Sequence, residues 1–193
     1  MRSVGAVAVA LVSVVAVGCG SGTGGGPASM HPAGAAECSA RALVVGPGSG
    51  IVPMTGEHAV TYRLKNRGPR ACSVHGYPAV VLYGATGEVL PFRYAEGGGA
   101  YVTASKPVTV VLASGASAYV LVAKYRCDLG IARDATSIRL TVPAAHGRNS
   151  SRREPVGISG PAGLSYCRGG QHDPGQIVTV SPIEPTLRSA SRL

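Results

Sequence analysis

The chain has 193 residues, a formal charge of +9, 28 glycines, 14 prolines, one phenylalanine and no tryptophan. That length fits one ordinary domain with a short appendage and argues against the two-lobed architecture of solute-binding lipoproteins. Hydrophobic residues make up 45% of the chain, with valine and alanine prominent, which suffices for a core and favours short β-branched strands over long helices.

Arg2 is followed by an uncharged apolar run over residues 4–17 and then by Gly18-Cys19-Gly20. A basic start, a short apolar stretch and small residues at the cut describe an export signal. At roughly 14 residues the run is shorter than the ~20 that a membrane-spanning helix needs. A cysteine directly after the small residue is the pattern of a bacterial lipoprotein signal. In that pattern the Cys19 thiol receives a diacylglyceryl group and becomes the mature N-terminus. Ala16 stands where leucine is usual. The expectation is a signal over 1–18, a Gly/Ala-rich tether over 19–37 and anchorage on the outer face of the cell membrane. Secretion after cleavage near Ala36 is the alternative. The tether holds a formal GxGxxG at Gly20, Gly22 and Gly25, but no strand precedes it and no helix follows, so it is not a nucleotide fingerprint.

The five cysteines are Cys19, Cys38, Cys72, Cys127 and Cys167. An odd count in an exported protein leaves one thiol to explain, and lipidation of Cys19 leaves an even set. No two of the remaining four have zinc-knuckle spacing, and an oxidising compartment makes disulfides the expected state. Three connectivities are open. The sequential pairing of Cys38 with Cys72 and Cys127 with Cys167 closes the shorter loops and is the one expected.

After Cys38 the pattern is β. Residues 42–45 are apolar and end at a glycine turn. Over 59–65, Val60, Tyr62 and Leu64 alternate with Thr61, Arg63 and Lys65, as in a half-buried strand. Asn66-Arg67-Gly68-Pro69 is a turn. Residues 79–83 and 89–94 read as a hairpin around a glycine loop, and 108–112 with 118–125 as another around Gly115. Residues 138–142 and 177–180 supply two more strands. The stretch 144–175 reads as a long loop tied down by Cys167. About seven or eight short strands without a helical stretch predict an all-β, antiparallel immunoglobulin-like β-sandwich over 38–183, followed by a flexible tail over 184–193.

Cys38, the Asn66 turn and Cys72-Ser73-Val74-His75-Gly76-Tyr77-Pro78 together resemble the "C-x-x-x-G-Y-P" signature of an actinobacterial exported domain, the domain-of-unknown-function family 4232. Residues 111–118 are similar to that family's "L-x-x-G-x-S-A" turn, and Val180-Ser181-Pro182 to its closing "V-S-P". The resemblance implies a secreted or lipid-anchored β-sandwich in which Cys127 and Cys167 are the second cysteine pair. It implies no activity and no catalytic residues. Physically, Gly76-Tyr77-Pro78 reads as a corner: a bend, a ring capping the core and a strand opening where no ladder donor is needed.

Catalytic patterns are scarce. His31, His58, His75, His146 and His172 form no HExxH, and no serine sits in a GxSxG elbow. No cofactor, metal or catalytic residue is expected, and no protein partner is legible. Arg63, Lys65, Arg67 and Arg70 form a candidate anion-binding rim, and Arg148, Arg152, Arg153 and Arg168 a second basic cluster. Outside a membrane the available anions are lipid headgroups and wall polymers, so nucleic acid is not the expected partner. The chain therefore reads as a non-catalytic envelope lipoprotein presenting a binding or accessory module. The rivals are an exported enzyme acting on envelope polymers and a solute-binding lipoprotein.

Overall fold

The computed structural model describes residues 34–39, 41–46, 49–51, 56–143, 150–155 and 163–192. The export signal, Cys19 and most of the tether lie outside the described residues. In chain order the strands begin with β1 (Leu43–Val45), β2 (Ser49–Ile51), β3 (Glu57–Asn66), β4 (Cys72–Val74), β5 (Ala79–Tyr83) and β6 (Arg93–Glu96). They continue with β7 (Val110–Leu112), β8 (Ser117–Tyr125), β9 (Ile131–Arg133), β10 (Ser137–Val142), β11 (Ser150–Pro155), β12 (Tyr166–Cys167) and β13 (Ile177–Val180). Among the described residues helix is limited to one turn, α1 (Leu187–Ala190), and two 3-10 turns at Gly170–His172 and Pro174–Gln176.

The fold is all-β, as its valine-rich alternating runs require. Its largest sheet runs β1-β3-β8-β13-β6, with β2 also paired to β3; a second runs β11-β10-β5; β12-β9 and β4-β7 are separate pairs. The central ladder sets Val60 opposite Val122, Tyr62 opposite Val120 and Leu64 opposite Ala118. These side chains share one buried cluster with Leu82, Ile138, Leu140 and Val142 of the second sheet, giving a β-sandwich-like core. The reverse face of the same ladder is also covered: Ala59, Leu121 and Ala123 pack against Tyr101, Val102 and Ala190.

Two disulfides form, Cys38–Cys72 and Cys127–Cys167, in the sequential pairing. The corner at Gly76 is also present. Gly76 has φ +98°, its carbonyl accepts from the Ile183 amide at 2.9 Å, and the Tyr77 hydroxyl donates to the Ser105 carbonyl at 3.4 Å.

Several expectations change. Thirteen strands are present among the described residues rather than seven or eight, because many paired segments are only two or three residues long. The sheets are not wholly antiparallel, since β13 pairs in parallel with β6. The 79–83/89–94 hairpin keeps its first rungs, with Tyr83 bridged to Val89 and the Leu90 amide on the Leu82 carbonyl at 2.9 Å. Pro91 then removes a ladder donor, and the chain crosses to the other sheet as β6. β7 pairs with β4 rather than β8. The 144–175 stretch contains β11 and β12, two strands without apolar alternation. The end of the tether is docked rather than free: Glu37 bridges Ser73, and the Ser73 amide donates to the Ala36 carbonyl at 2.9 Å. The tail is docked as well. Ala190 is buried, its carbonyl accepts from Thr103 at 3.0 Å, and Thr186 and Ser189 form a reciprocal cap on α1.

Asn66 closes one end of the central ladder. Its buried amide nitrogen donates to the carbonyls of Arg70 at 2.9 Å, Leu112 at 3.0 Å and Ala113 at 3.3 Å, while Oδ1 accepts from the Gly68 amide at 2.8 Å. One side chain thus joins the turn after β3 to the turn before β8. Asn66→Ala leaves buried carbonyls without donors and is expected to destabilise the domain by about 2–4 kcal/mol in urea unfolding, well above the effect of a surface change.

Candidate ligand cleft and basic rim

The other end of the ladder is not closed by apolar side chains. On β8 the core-facing row runs Val120, Val122, Lys124, and on β3 it runs Tyr62, Val60, His58; the register sets Lys124 opposite both His58 and Val178. A period of two residues therefore carries an ammonium and an imidazole into line with the core. Where these rows end there is a cleft of about 450 Å³, lined among others by His58, Lys124, Arg126, Cys127, Ile131 and Ser165.

Lys124 is only 3% exposed. Its Nζ donates to the Cys127 sulfur at 3.6 Å, a weak acceptor already committed to the Cys127–Cys167 disulfide. Burial pushes the Lys124 amine down to about 8, against the opposing pull of Asp173 and Glu57. Glu57 is itself pushed up by burial, with Lys124 acting in the other direction.

Asp173 is buried and occupied: its carboxylate accepts from the amides of Asp128 at 3.1 Å, Leu129 at 3.3 Å and Gly175 at 3.0 Å. It thereby caps the 3-10 turn at Pro174–Gln176 and ties down the loop that carries Arg126 and Cys127. Gly175 lets this turn sit close, because a Cβ there would lie 2.6 Å from the Cys167 sulfur and from the Arg126 carbonyl. Gln176 Nε2 then donates to the Cys167 carbonyl at 3.0 Å. Across the cleft, the Ser165 hydroxyl donates to Asp134 at 2.8 Å. Arg126 is 58% exposed at the cleft mouth, 3.9 Å from the Asp128 carboxylate and over the Tyr125 ring. The arrangement concentrates positive charge around a half-open cleft with an apolar wall, which suits an anion.

The four rim residues lie around the far end of β3. Arg63 and Lys65 alternate with Tyr62 and Leu64 and so lie on the face opposite the main core, Arg63 exposed and Lys65 half-buried. Arg67 and Arg70 are exposed in the following turn. Among the described residues none of the four is within ion-pair distance of a carboxylate. Of the second basic cluster, Arg148 lies outside the described residues, and Arg152 and Arg153 are described only as backbone on β11. Arg168 donates to the Ile131 carbonyl at 3.0 Å.

His58 and Lys124, which line the cleft, are not among the candidate site residues that the sequence alone suggests. The available signal was Lys124 itself, a cation spaced by two from Val122 and Val120 and thus on the buried row of a strand whose alternation was plain. A family model described as Domain of unknown function (DUF4232) matches residues 38–183. No curated protein and no solved structure matches the chain.

Lys124 holds its proton less tightly in the fold than in the unfolded chain. The buried charge therefore opposes folding below pH about 8, and the penalty fades as pH rises from about 8 towards 10.5. Lys124→Met, similar in length and uncharged, is expected to stabilise the domain at pH 7 by about 1–3 kcal/mol. The gain should shrink between pH 8 and 10 in urea titrations run across that range.

Proposed function

Because the chain belongs to the family described as Domain of unknown function (DUF4232), a name that assigns no activity, we propose that it is a non-catalytic cell-envelope lipoprotein whose folded domain is a binding module. Lipid on Cys19 holds it at the outer face of the membrane, and the Gly/Ala-rich tether links that lipid to the domain. The two disulfides suit an oxidising compartment and staple both ends of the described fold. The observation that carries the reading is the cluster of Arg63, Lys65, Arg67 and Arg70 without a neighbouring described carboxylate. Such a face attracts phosphate-rich surfaces, namely anionic lipid headgroups or wall polymer, and needs no pocket to do so.

The test uses the full chain carrying Cys19→Ser, so that binding is read without the lipid. This protein is expected to leave membranes washed at high salt, which retain the wild type. It should still co-sediment with phosphatidylglycerol vesicles or isolated wall polymer at low salt, and should detach as salt rises, because exposed charges are screened within about 10 Å at 0.1 M. Adding Arg63→Glu and Lys65→Glu should abolish that binding without altering the melting temperature. Unchanged binding would assign the charge to solubility alone, and retention of the Cys19→Ser chain in membranes would remove the lipid anchor from the account.

A further inference from the structure

We propose that the cleft at the His58–Lys124 end of the ladder binds a small organic carboxylate. Its oxygens take the Lys124 ammonium, and its apolar body lies against Ile131 and the Cys127–Cys167 disulfide. This site is separate from the rim, which lies around the other end of β3.

Three observations carry it. First, Lys124 has three N–H donors, and among the described residues the one acceptor in hydrogen-bond reach is the Cys127 sulfur at 3.6 Å. The carboxylates nearest in effect do not serve it. Asp173 spends its oxygens on the amides of Asp128, Leu129 and Gly175, and Glu57 sits on the opposite face of β3, paired in register with Tyr125. Second, the described lining contains His58, Lys124 and Arg126 but no aspartate or glutamate. A buried ammonium without a counter-charge is costly, and a bound anion would supply what the fold leaves out. Third, the volume of about 450 Å³ falls within the range of small-molecule sites and holds an apolar wall beside the charge. Arg126 already has Asp128 at 3.9 Å, so the unbalanced charge of the described lining is close to one. That favours a monoanion over a multiply charged phosphate.

The experiment is calorimetric titration of the intact protein with N-acetylalanine, with N-acetylalaninamide as the neutral counterpart and dimethyl phosphate as a competing monoanion. Saturable binding of the carboxylate, and weakening by about tenfold or more for the amide, is the expected result. Lys124→Met, with both disulfides and its melting transition retained, should lose the binding. In the wild type alone, affinity should fall as pH rises through about 8, where Lys124 gives up its proton; the other titratable or charged groups around it are His58 opposite on β3, Asp173 and Arg126, with Glu57 on the reverse face of β3. The wild-type pH series stands even if the variant does not fold. Absence of saturable binding, equal binding of the amide, or binding that survives Lys124→Met overturns the proposal. Tighter binding of dimethyl phosphate overturns the assignment to a carboxylate.

Discussion

The pairing of β3 with β8 is the constraint on which the rest of the structure depends. Its rungs run from Glu57 against Tyr125 to Lys65 against Ser117, and it is covered on both faces for much of its length. A slip of one residue would carry Ala59, Thr61 and Arg63 into the main core and expel Val60, Tyr62 and Leu64. The register is therefore held by burial on two sides, and both ends of the ladder inherit their positions from it. At one end Asn66 satisfies the backbone of two turns. At the other, the same alternation that buries valines delivers His58 and Lys124 to the cleft.

The alternating runs over 59–65, 118–125 and 138–142 were legible because a strand with a buried face writes its period directly into the order of side chains. The turn at Asn66 was legible from its residue types, although the reach of its side chain to Leu112 and Ala113 was not, since nothing local encodes a contact across that distance. β11 and β12 escaped for a different reason. Ser150–Pro155 has no apolar alternation and exists as a strand through its backbone pairing with β10. The parallel pairing of β13 with β6 depends on the chain leaving its hairpin after Pro91, and a local reading of the hairpin cannot foresee a partner from the other sheet. The docked tail was hidden because its buried apolar side chain, Ala190, is too small to register as a hydrophobic signal, and its other ties are polar, such as the Arg192 guanidinium on the Gly99 carbonyl at 2.9 Å. Arg63 and Lys65 were placed correctly opposite the core by their period. Lys124 shows the converse case, in which the period was visible and the charge on its buried row was passed over.

The two cationic features work in different electrostatic regimes. The exposed rim charges are screened by solvent and salt, each worth little alone, so that face acts through the number of charges meeting a repeating anionic surface. Lys124 lies in a medium where a charge is felt more strongly and where leaving it unbalanced costs stability. It suits one anion held in one place. The Cys127–Cys167 bridge and the Asp173 clasp matter to this second regime because they hold the cleft wall through covalent and buried contacts. Without them the loop carrying Arg126 and Cys127 could open, water would reach the amine, and its distinctive chemistry would be lost.

The most direct measurement of this account is an NMR titration of the Lys124 side chain in the intact, oxidised protein, following its Cε shift with pH and assigning it by comparison with Lys124→Met. A midpoint near 8 is the result the buried position requires. A midpoint near the ordinary 10.5 would show the Lys124 charge to be compensated by solvent or by a carboxylate, and would contradict an unbalanced ammonium at the cleft.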